Sequence, residues 1–253
     1  MNGVNVSRRS VPAPKDELGD KSAAYLPAVQ ARQIIERATP LLGLTLSEAQ
    51  IDALMAYLVL IAKWTKVYNL TAVRDPAEML THHVLDSLAT VTPLRKQLES
   101  FDLAKDSEQG SGRVLDVGSG AGLPGIVIAI CCPELSVTCV DTVAKKVAFI
   151  KQAALALKVT NLTGLHARVE SIRSPFDVVC SRAFASLGDF TAWSKGALSA
   201  RGIWMAMKGK HPAGELEALA QDVDVFHVEQ LVVPGLNAER CIVWMRRLSQ
   251  PLV

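Results

Sequence analysis

The stretch Val114-Leu115-Asp116-Val117-Gly118-Ser119-Gly120-Ala121-Gly122-Leu123-Pro124-Gly125 decides the fold of this chain. A β-branched run passes through an acid into four glycines and then into the apolar segment Ile126 to Cys131. Glycines at a strand-to-helix turn let the backbone bend sharply and approach a ligand closely. The helix behind them aims its free N–H groups back at the turn. The stretch is a nucleotide-cofactor loop, and by itself it does not name the nucleotide.

Gly120-x-Gly122-x-x-Gly125 fits the dinucleotide fingerprint, in which a pyrophosphate sits on the helix N-terminus and an acid about 20 residues on holds the ribose. Two residues argue against it. Asp116 lies two residues before the first glycine, where a carboxylate would face the anionic pyrophosphate, and Pro124 removes one N–H donor. A cationic ligand suits the turn better. S-Adenosylmethionine carries a sulfonium and an ammonium and needs no phosphate cradle, and Gly118, Gly120 and Gly122 leave it room beside Asp116. Asp141 closes the next strand, where it can accept from two ribose hydroxyls. S-Adenosylmethionine is the expected cofactor. A nucleotide-dependent oxidoreductase and a binding protein that senses S-adenosylmethionine without turnover are the alternatives.

Outward from this loop, strands and helical segments alternate. The strands read as Val114–Val117, Val137–Asp141, Leu162–Leu165, Asp177–Ser181, Ile203–Met207, Val225–Val233 and Cys241–Met245. Seven strands with helical segments between them predict an α/β fold, a doubly wound and mostly parallel sheet, over residues 106–248. Ligands of such sheets gather at the carboxyl ends of the strands, where Asp116, Asp141, Arg168 to Glu170, Arg182 and Lys208 fall. Ahead of the sheet, residues 25–105 read as an N-terminal helical region. Ser47 with Gln50 makes a capping box before Ile51, Leu54, Met55, Leu58, Ile61 and Ala62, and Asp75-Pro76-x-Glu78 starts another helix. Residues 1–24, with Pro12, Pro14 and mixed charges, read as a disordered tail.

With 253 residues, 49% of them hydrophobic, the chain can bury a full core. A net charge of +2 leaves nucleic-acid contact to a local patch. Between Thr142 and Arg182 seven basic residues, Lys145 and Lys146 among them, face two acids, which reads either as a solvated face or as RNA contact. The five cysteines form no C-x-x-C pair and sit in apolar patterns, as buried thiols of a reducing compartment do. No apolar leader precedes Lys15, and the longest apolar run, Leu54 to Ala62, is too short for a bilayer. A cytoplasmic protein is expected. His82 and Asp86 share a helical face at i, i+4, yet no third ligand joins them in sequence. A hydrogen-bonded clamp onto the sheet is expected there rather than a metal.

Taken together, the loop, the second acid and the downstream motifs resemble the bacterial small-subunit rRNA methyltransferases that modify guanine at N7, the glucose-inhibited division B family. The resemblance rests on Tyr68-Asn69-Leu70-Thr71-Ala72-Val73-Arg74-Asp75-Pro76, His83-Val84-Leu85-Asp86-Ser87, the glycine loop, Phe176-Asp177-Val178-Val179-Cys180-Ser181-Arg182-Ala183-Phe184-Ala185 and Lys208-Gly209. It spans roughly residues 28 to 247. Thr142 and Lys146 depart from the family pattern, in which serine and arginine are usual, and lysine gives up arginine's bidentate fork.

The resemblance implies a class I S-adenosylmethionine-dependent methyltransferase, acting as a monomer on 16S rRNA or on a small-subunit ribosomal particle. It implies cofactor contacts at Gly118 and Leu123, at Val169 and Glu170, and at Arg182. It also implies RNA contacts at Lys208 and Arg240, beside Lys145 and Lys146. No catalytic side chain is expected. N7 of guanine carries an unprotonated lone pair at neutral pH, so orientation in line with the methyl carbon and sulfur suffices, and the base must be presented from a loop rather than a duplex. Cys180, in an apolar strand, reads as core rather than nucleophile.

Overall fold

The computed structural model describes residues 27–101 and 112–248. The tail read over residues 1–24 lies outside the described residues. The helices of the N-terminal region are α1 (Ala28–Leu41), α2 (Glu48–Tyr68), α3 (Pro76–Met79), α4 (Asp86–Leu88) and α5 (Val91–Ser100). Ser47 and Gln50 form the expected capping box at the start of α2, and Asp75 caps Ala77 and Glu78 with Pro76 in the first turn of α3. Between α3 and α4, Leu80–Leu85 is wound as a π-helix, so the regular i, i+4 spacing assumed for His82 and Asp86 is interrupted.

The sheet follows: β1 (Arg113–Val117), α6 (Gly125–Cys131), β2 (Ser136–Asp141), α7 (Ala144–Ala156), β3 (Leu162–His166), β4 (Phe176–Arg182), α8 (Leu187–Ser194), β5 (Leu198–Lys208), α9 (Ala213–Glu217), β6 (Val223–Leu231) and β7 (Arg240–Arg247). Its seven strands lie in the order β3-β2-β1-β4-β5-β7-β6. The pairs from β3 to β5 are parallel, and β7 runs antiparallel to both β5 and β6. This is the doubly wound, mostly parallel sheet expected from the sequence, with an N-terminal helical extension.

Burial on both faces explains the apolar runs in the central strands, and the period of two sends chain neighbours to opposite sides. Val114, Val178, Ile203 and Trp244 pack with Ile35 of α1, Leu54 of α2, Leu94 of α5, Ile128 of α6 and Phe149 of α7. Leu115, Val179, Trp204 and Val243 pack with Leu187 and Phe190 of α8. The N-terminal helices thus share one core with α6 and α7, and their residues reach the underside of the glycine loop.

All seven strands differ from the sequence reading at one end or both, most by one or two residues. β5 begins at Leu198, where Arg201 and Gly202 break the apolar run but not the strand. β6 stops at Leu231 instead of Val233, because Val232 turns to solvent at 84% exposure while Val233 drops into the core ahead of the Pro234-Gly235 turn.

Candidate active site

Between β1 and α6 the chain turns through three left-handed glycines, Gly118 (φ 64°), Gly120 (φ 58°) and Gly122 (φ 80°). A side chain at Gly118 would collide with the Phe184 ring, its Cβ only 2.2 Å away, whereas one at Gly120 would meet nothing nearer than 3.9 Å and would project into open space. The loop is pinned from all sides. Gly118 and Ser119 donate N–H bonds to the Val140 carbonyl at 2.9 and 3.2 Å, Gly120 N–H reaches Asp141 Oδ2 at 3.0 Å, and Gly125 N–H reaches Asp116 Oδ2 at 2.9 Å. From α2, the buried Tyr57 hydroxyl donates to the Ala121 carbonyl at 2.6 Å.

Two clefts open at the carboxyl ends of the strands and meet at Gly118 and Ala183. The first, of about 500 Å³, is walled by Val140, Val143 and Val169 and carries Asp141, Lys146, Arg168 and Glu170 as its polar groups, with Phe184 and Trp193 opposite. Asp141 Oδ1 accepts from Val143 N–H at 2.8 Å, and Lys146 Nζ lies 3.6 Å from Oδ2. Each carboxylate oxygen has a second lone pair, so the Asp141 side chain can still accept from hydroxyls in the cleft. Apolar walls with acids at two edges fit an adenosine, whose ring is apolar on its faces and whose ribose and amino group donate.

The second cleft, of about 430 Å³, is lined by Gly118, Ser119, Gly120 and Leu123 on the loop side and by Arg182, Lys208 and Arg240 opposite, with Leu70, Thr71 and Asp86 closing it. Its cations are held in place. Asp86, buried at the start of α4, accepts from Arg240 Nε at 2.8 Å and from Arg182 Nη1 at 3.2 Å, and Arg182 Nη1 also reaches the His82 carbonyl at 2.7 Å. The clamp between the helical region and the sheet is formed, with Asp86 as its centre. His83 contributes separately: its Nε2 lies 2.8 Å from Thr71 Oγ1, and burial, with Arg182 nearby, lowers its pKa to about 4. Lys208 Nζ is shared between the Glu215 carboxylate, at 2.8 and 3.0 Å, and the Ala185 carbonyl at 3.1 Å.

Of the residues singled out in the sequence, Gly118, Asp141, Val169, Glu170 and Lys146 line the first cleft, and Gly118, Gly120, Leu123, Arg182, Lys208 and Arg240 line the second. Asp116, Gly122 and Lys145 line neither. Asp116 is fully buried beneath the loop, with Oδ2 on Gly125 N–H and Oδ1 unpaired, and burial pushes its pKa up to about 7. Its carboxylate therefore does not face a ligand above the glycines, so the charge argument against a pyrophosphate falls away and only the N–H donor missing at Pro124 remains. Gly122 acts by admitting Ile126, whose Cδ1 would lie 2.4 Å from a Cβ at that position. All five cysteines are free and buried, and burial raises the Cys180 thiol pKa well above its ordinary value. Among the described residues no cluster of three or more His, Cys, Asp or Glu is arranged to hold a metal, and no helix is long and apolar enough to cross a membrane. Tyr57 and Trp193 were not foreseen, since each sits in a helical run that reads as ordinary packing.

Comparison with known proteins settles the family. The family model for rRNA small subunit methyltransferase G (GidB) matches residues 50–243. The chain belongs to the rRNA small subunit methyltransferase G family. Curated members bearing that name include proteins from Polaromonas naphthalenivorans, 70% identical over 208 residues (82% of this chain, 92% of the relative), and Albidiferax ferrireducens, 65% identical over 207 residues (81% and 92%). A further relative from Methylibium petroleiphilum is 54% identical and covers 85% of this chain and 94% of its own length. Within the methyltransferase G family frame, the glycine loop, both clefts and the Asp86 clamp all lie inside the matched span.

Proposed function

We infer that this protein transfers the methyl group of S-adenosylmethionine to N7 of a guanine in small-subunit rRNA. The observation that carries the reading is the junction of the two clefts at Gly118 and Ala183, one suited to an adenosine and the other lined with cations suited to RNA. The cofactor supplies an electrophilic methyl on a sulfonium. When the cofactor is bound, Asp141 would accept from the ribose hydroxyls, Val169 and Glu170 would hold the adenine, and Gly118, Gly120 and Leu123 would hold the methionine part. Gly122 and Asp116 act beneath the loop, by setting its path. Arg182 and Arg240 offer their remaining N–H groups to the methionine carboxylate or to RNA phosphate, and Lys208 adds charge at the same wall.

The residues lining the junction have no deprotonation to perform, because the N7 lone pair is already free. They exclude water and hold the acceptor in line, an orientation effect that supplies several orders of magnitude. Because the A-form major groove hides N7, the substrate guanine belongs to a loop or is splayed out. The five buried free thiols fit the cytoplasm.

Labelled S-adenosylmethionine with deproteinised 16S rRNA and with small-subunit particles, followed by nucleoside analysis, tests the reading. The expected product is N7-methylguanosine at one loop position, formed at a single-turnover rate nearly flat across neutral pH. A methyl on an exocyclic amine or a ribose oxygen, or a rate that climbs with pH, would overturn the N7 mechanism. Failure to transfer to any RNA would overturn the methyltransferase reading.

A further inference from the structure

Tyr68, the last residue of α2, is 49% exposed, and Val67 beside it is 67% exposed. The tyrosine is not loose. Trp64 supports its ring from one side with centroids 4.9 Å apart, and Trp64 in turn packs edge-on against the buried Phe149 at 5.4 Å. On another side the ammonium of Lys145, on α7, lies 5.9 Å from the ring centroid. A helix of the N-terminal region and a helix of the sheet thus build one aromatic and cationic platform. Two residues further on, Leu70 lines the arginine-rich cleft, and next to Lys145, Lys146 lines the adenosine cleft, so each half of the platform adjoins in the chain a residue of one cleft.

The two chain segments that build it carry charge of one sign. No Asp or Glu occurs between Asp52 and Asp75, a span with Lys63, Lys66 and Arg74, and none between Asp141 and Glu170, a span with Lys145, Lys146 and Lys151. Lys63, Lys66, Lys145 and Lys151 are exposed. An exposed ring braced by Trp64 with a lysine ammonium over it matches the way proteins hold single-stranded nucleic acid, with bases on aromatic faces and phosphates on lysines.

We propose that Tyr68 is a stacking platform for an unpaired base of the RNA substrate next to the one that enters the cleft, with Lys145 holding the adjoining phosphate. The proposal rests on RNA being the substrate and adds a binding position outside the cofactor site. The base stacks on the exposed part of the ring, which Trp64 holds in place, so little ordering is lost on binding. Lys145, already over the ring, neutralises the adjoining phosphate and releases its counterion.

Fluorescence anisotropy with a short single-stranded oligoribonucleotide, and with an abasic ribose-phosphate chain of the same length, tests it on the full-length protein. Calorimetry with S-adenosylmethionine runs in parallel. Tyr68→Ala should weaken binding of the base-bearing strand about tenfold and leave the abasic strand unaffected, because stacking on one aromatic ring carries energy of that order. Tyr68→Phe should retain wild-type affinity. Lys145→Ala should weaken both strands and lower the salt dependence by about one counterion. Cofactor affinity should be unchanged in all three variants, which also shows that they fold. Equal affinity of Tyr68→Ala and wild type for the base-bearing strand would overturn the platform while leaving the methyltransferase reading intact. A wild-type protein that binds neither strand would likewise overturn the platform, while transfer to 16S rRNA or to particles tests the methyltransferase reading separately.

Discussion

The Tyr57 hydroxyl, contributed by the N-terminal helical region, ends 2.6 Å from the carbonyl of Ala121 in the middle of the glycine loop. Tyr57 has no exposed surface, so neither partner can exchange this bond for water. Tyr57→Phe leaves a buried carbonyl short of a donor, at a cost of about 1–3 kcal/mol. For a chain of this size each 1 kcal/mol lowers the melting temperature by roughly 2–4 °C. Calorimetric scans should show that fall, and titrations should show weaker S-adenosylmethionine binding. Lost stability with unchanged cofactor affinity would mean that the remaining loop bonds set its path without Tyr57.

Asp141 spends one bond on each of Gly120 and Val143 and faces the first cleft. Asp141→Ala removes the proposed ribose acceptor together with a pin of the loop. Charge-assisted hydrogen bonds are worth about 1.5–3 kcal/mol each, so cofactor affinity should fall at least tenfold. Isothermal titration with S-adenosylmethionine measures it directly. An unaltered dissociation constant removes Asp141 from the site.

Asp86 joins the helical region to β4 and β7 through two arginines whose side chains are 22% and 20% exposed. Removing one partner of a fully buried pair costs about 3–5 kcal/mol, and the residual exposure of the arginines reduces this, so Asp86→Ala should cost about 2 kcal/mol. The urea midpoint should drop with an unchanged slope. RNA affinity should also weaken, because Arg182 and Arg240 lose the anchor that orients them in the cleft. If RNA binding strengthens as two charges are freed, the arginines bind phosphate better unpaired and the clamp is purely structural.

Two buried groups pull the pH dependence of stability in opposite directions. Burial raises Asp116 to about 7, so between the unfolded carboxyl pKa of about 4 and pH 7 the folded chain holds the extra proton, and this contribution fades as pH rises. His83 is lowered to about 4, so below an unfolded pKa of about 6.5 the unfolded chain holds the extra proton, and stability is lost as pH falls. The two nearly cancel in wild type. Asp116→Asn should unmask a stability that drops on acidification from about pH 6.5 to 4.5, and His83→Gln one that rises over the same window. Urea unfolding across that range checks both signs. A profile for Asp116→Asn parallel to wild type would show that Asp116 does not titrate there in the folded state.

Much of this was already in the sequence. Three glycines after an apolar strand fixed the turn, because few other residues take a left-handed backbone at Gly118, Gly120 and Gly122. Ser47 with Gln50, Asp75 with Pro76, and the apolar runs of the central strands are local patterns whose physics acts within a few residues. The positions of Asp141, Val169, Glu170 and Arg182 followed from strand ends in a parallel sheet, which all point their carboxyl termini to one edge. Only the tertiary structure decided what those residues face. Asp116 lies next to the loop in sequence, yet the pleat turns its side chain under the turn, onto Gly125 N–H and away from the clefts. Asp86 meets Arg182 and Arg240 across 96 and 154 residues of chain, and Tyr57 meets Ala121 across 64. Such pairings depend on which helix packs on which strand, and no local spacing encodes a contact that exists only once two distant segments share a core.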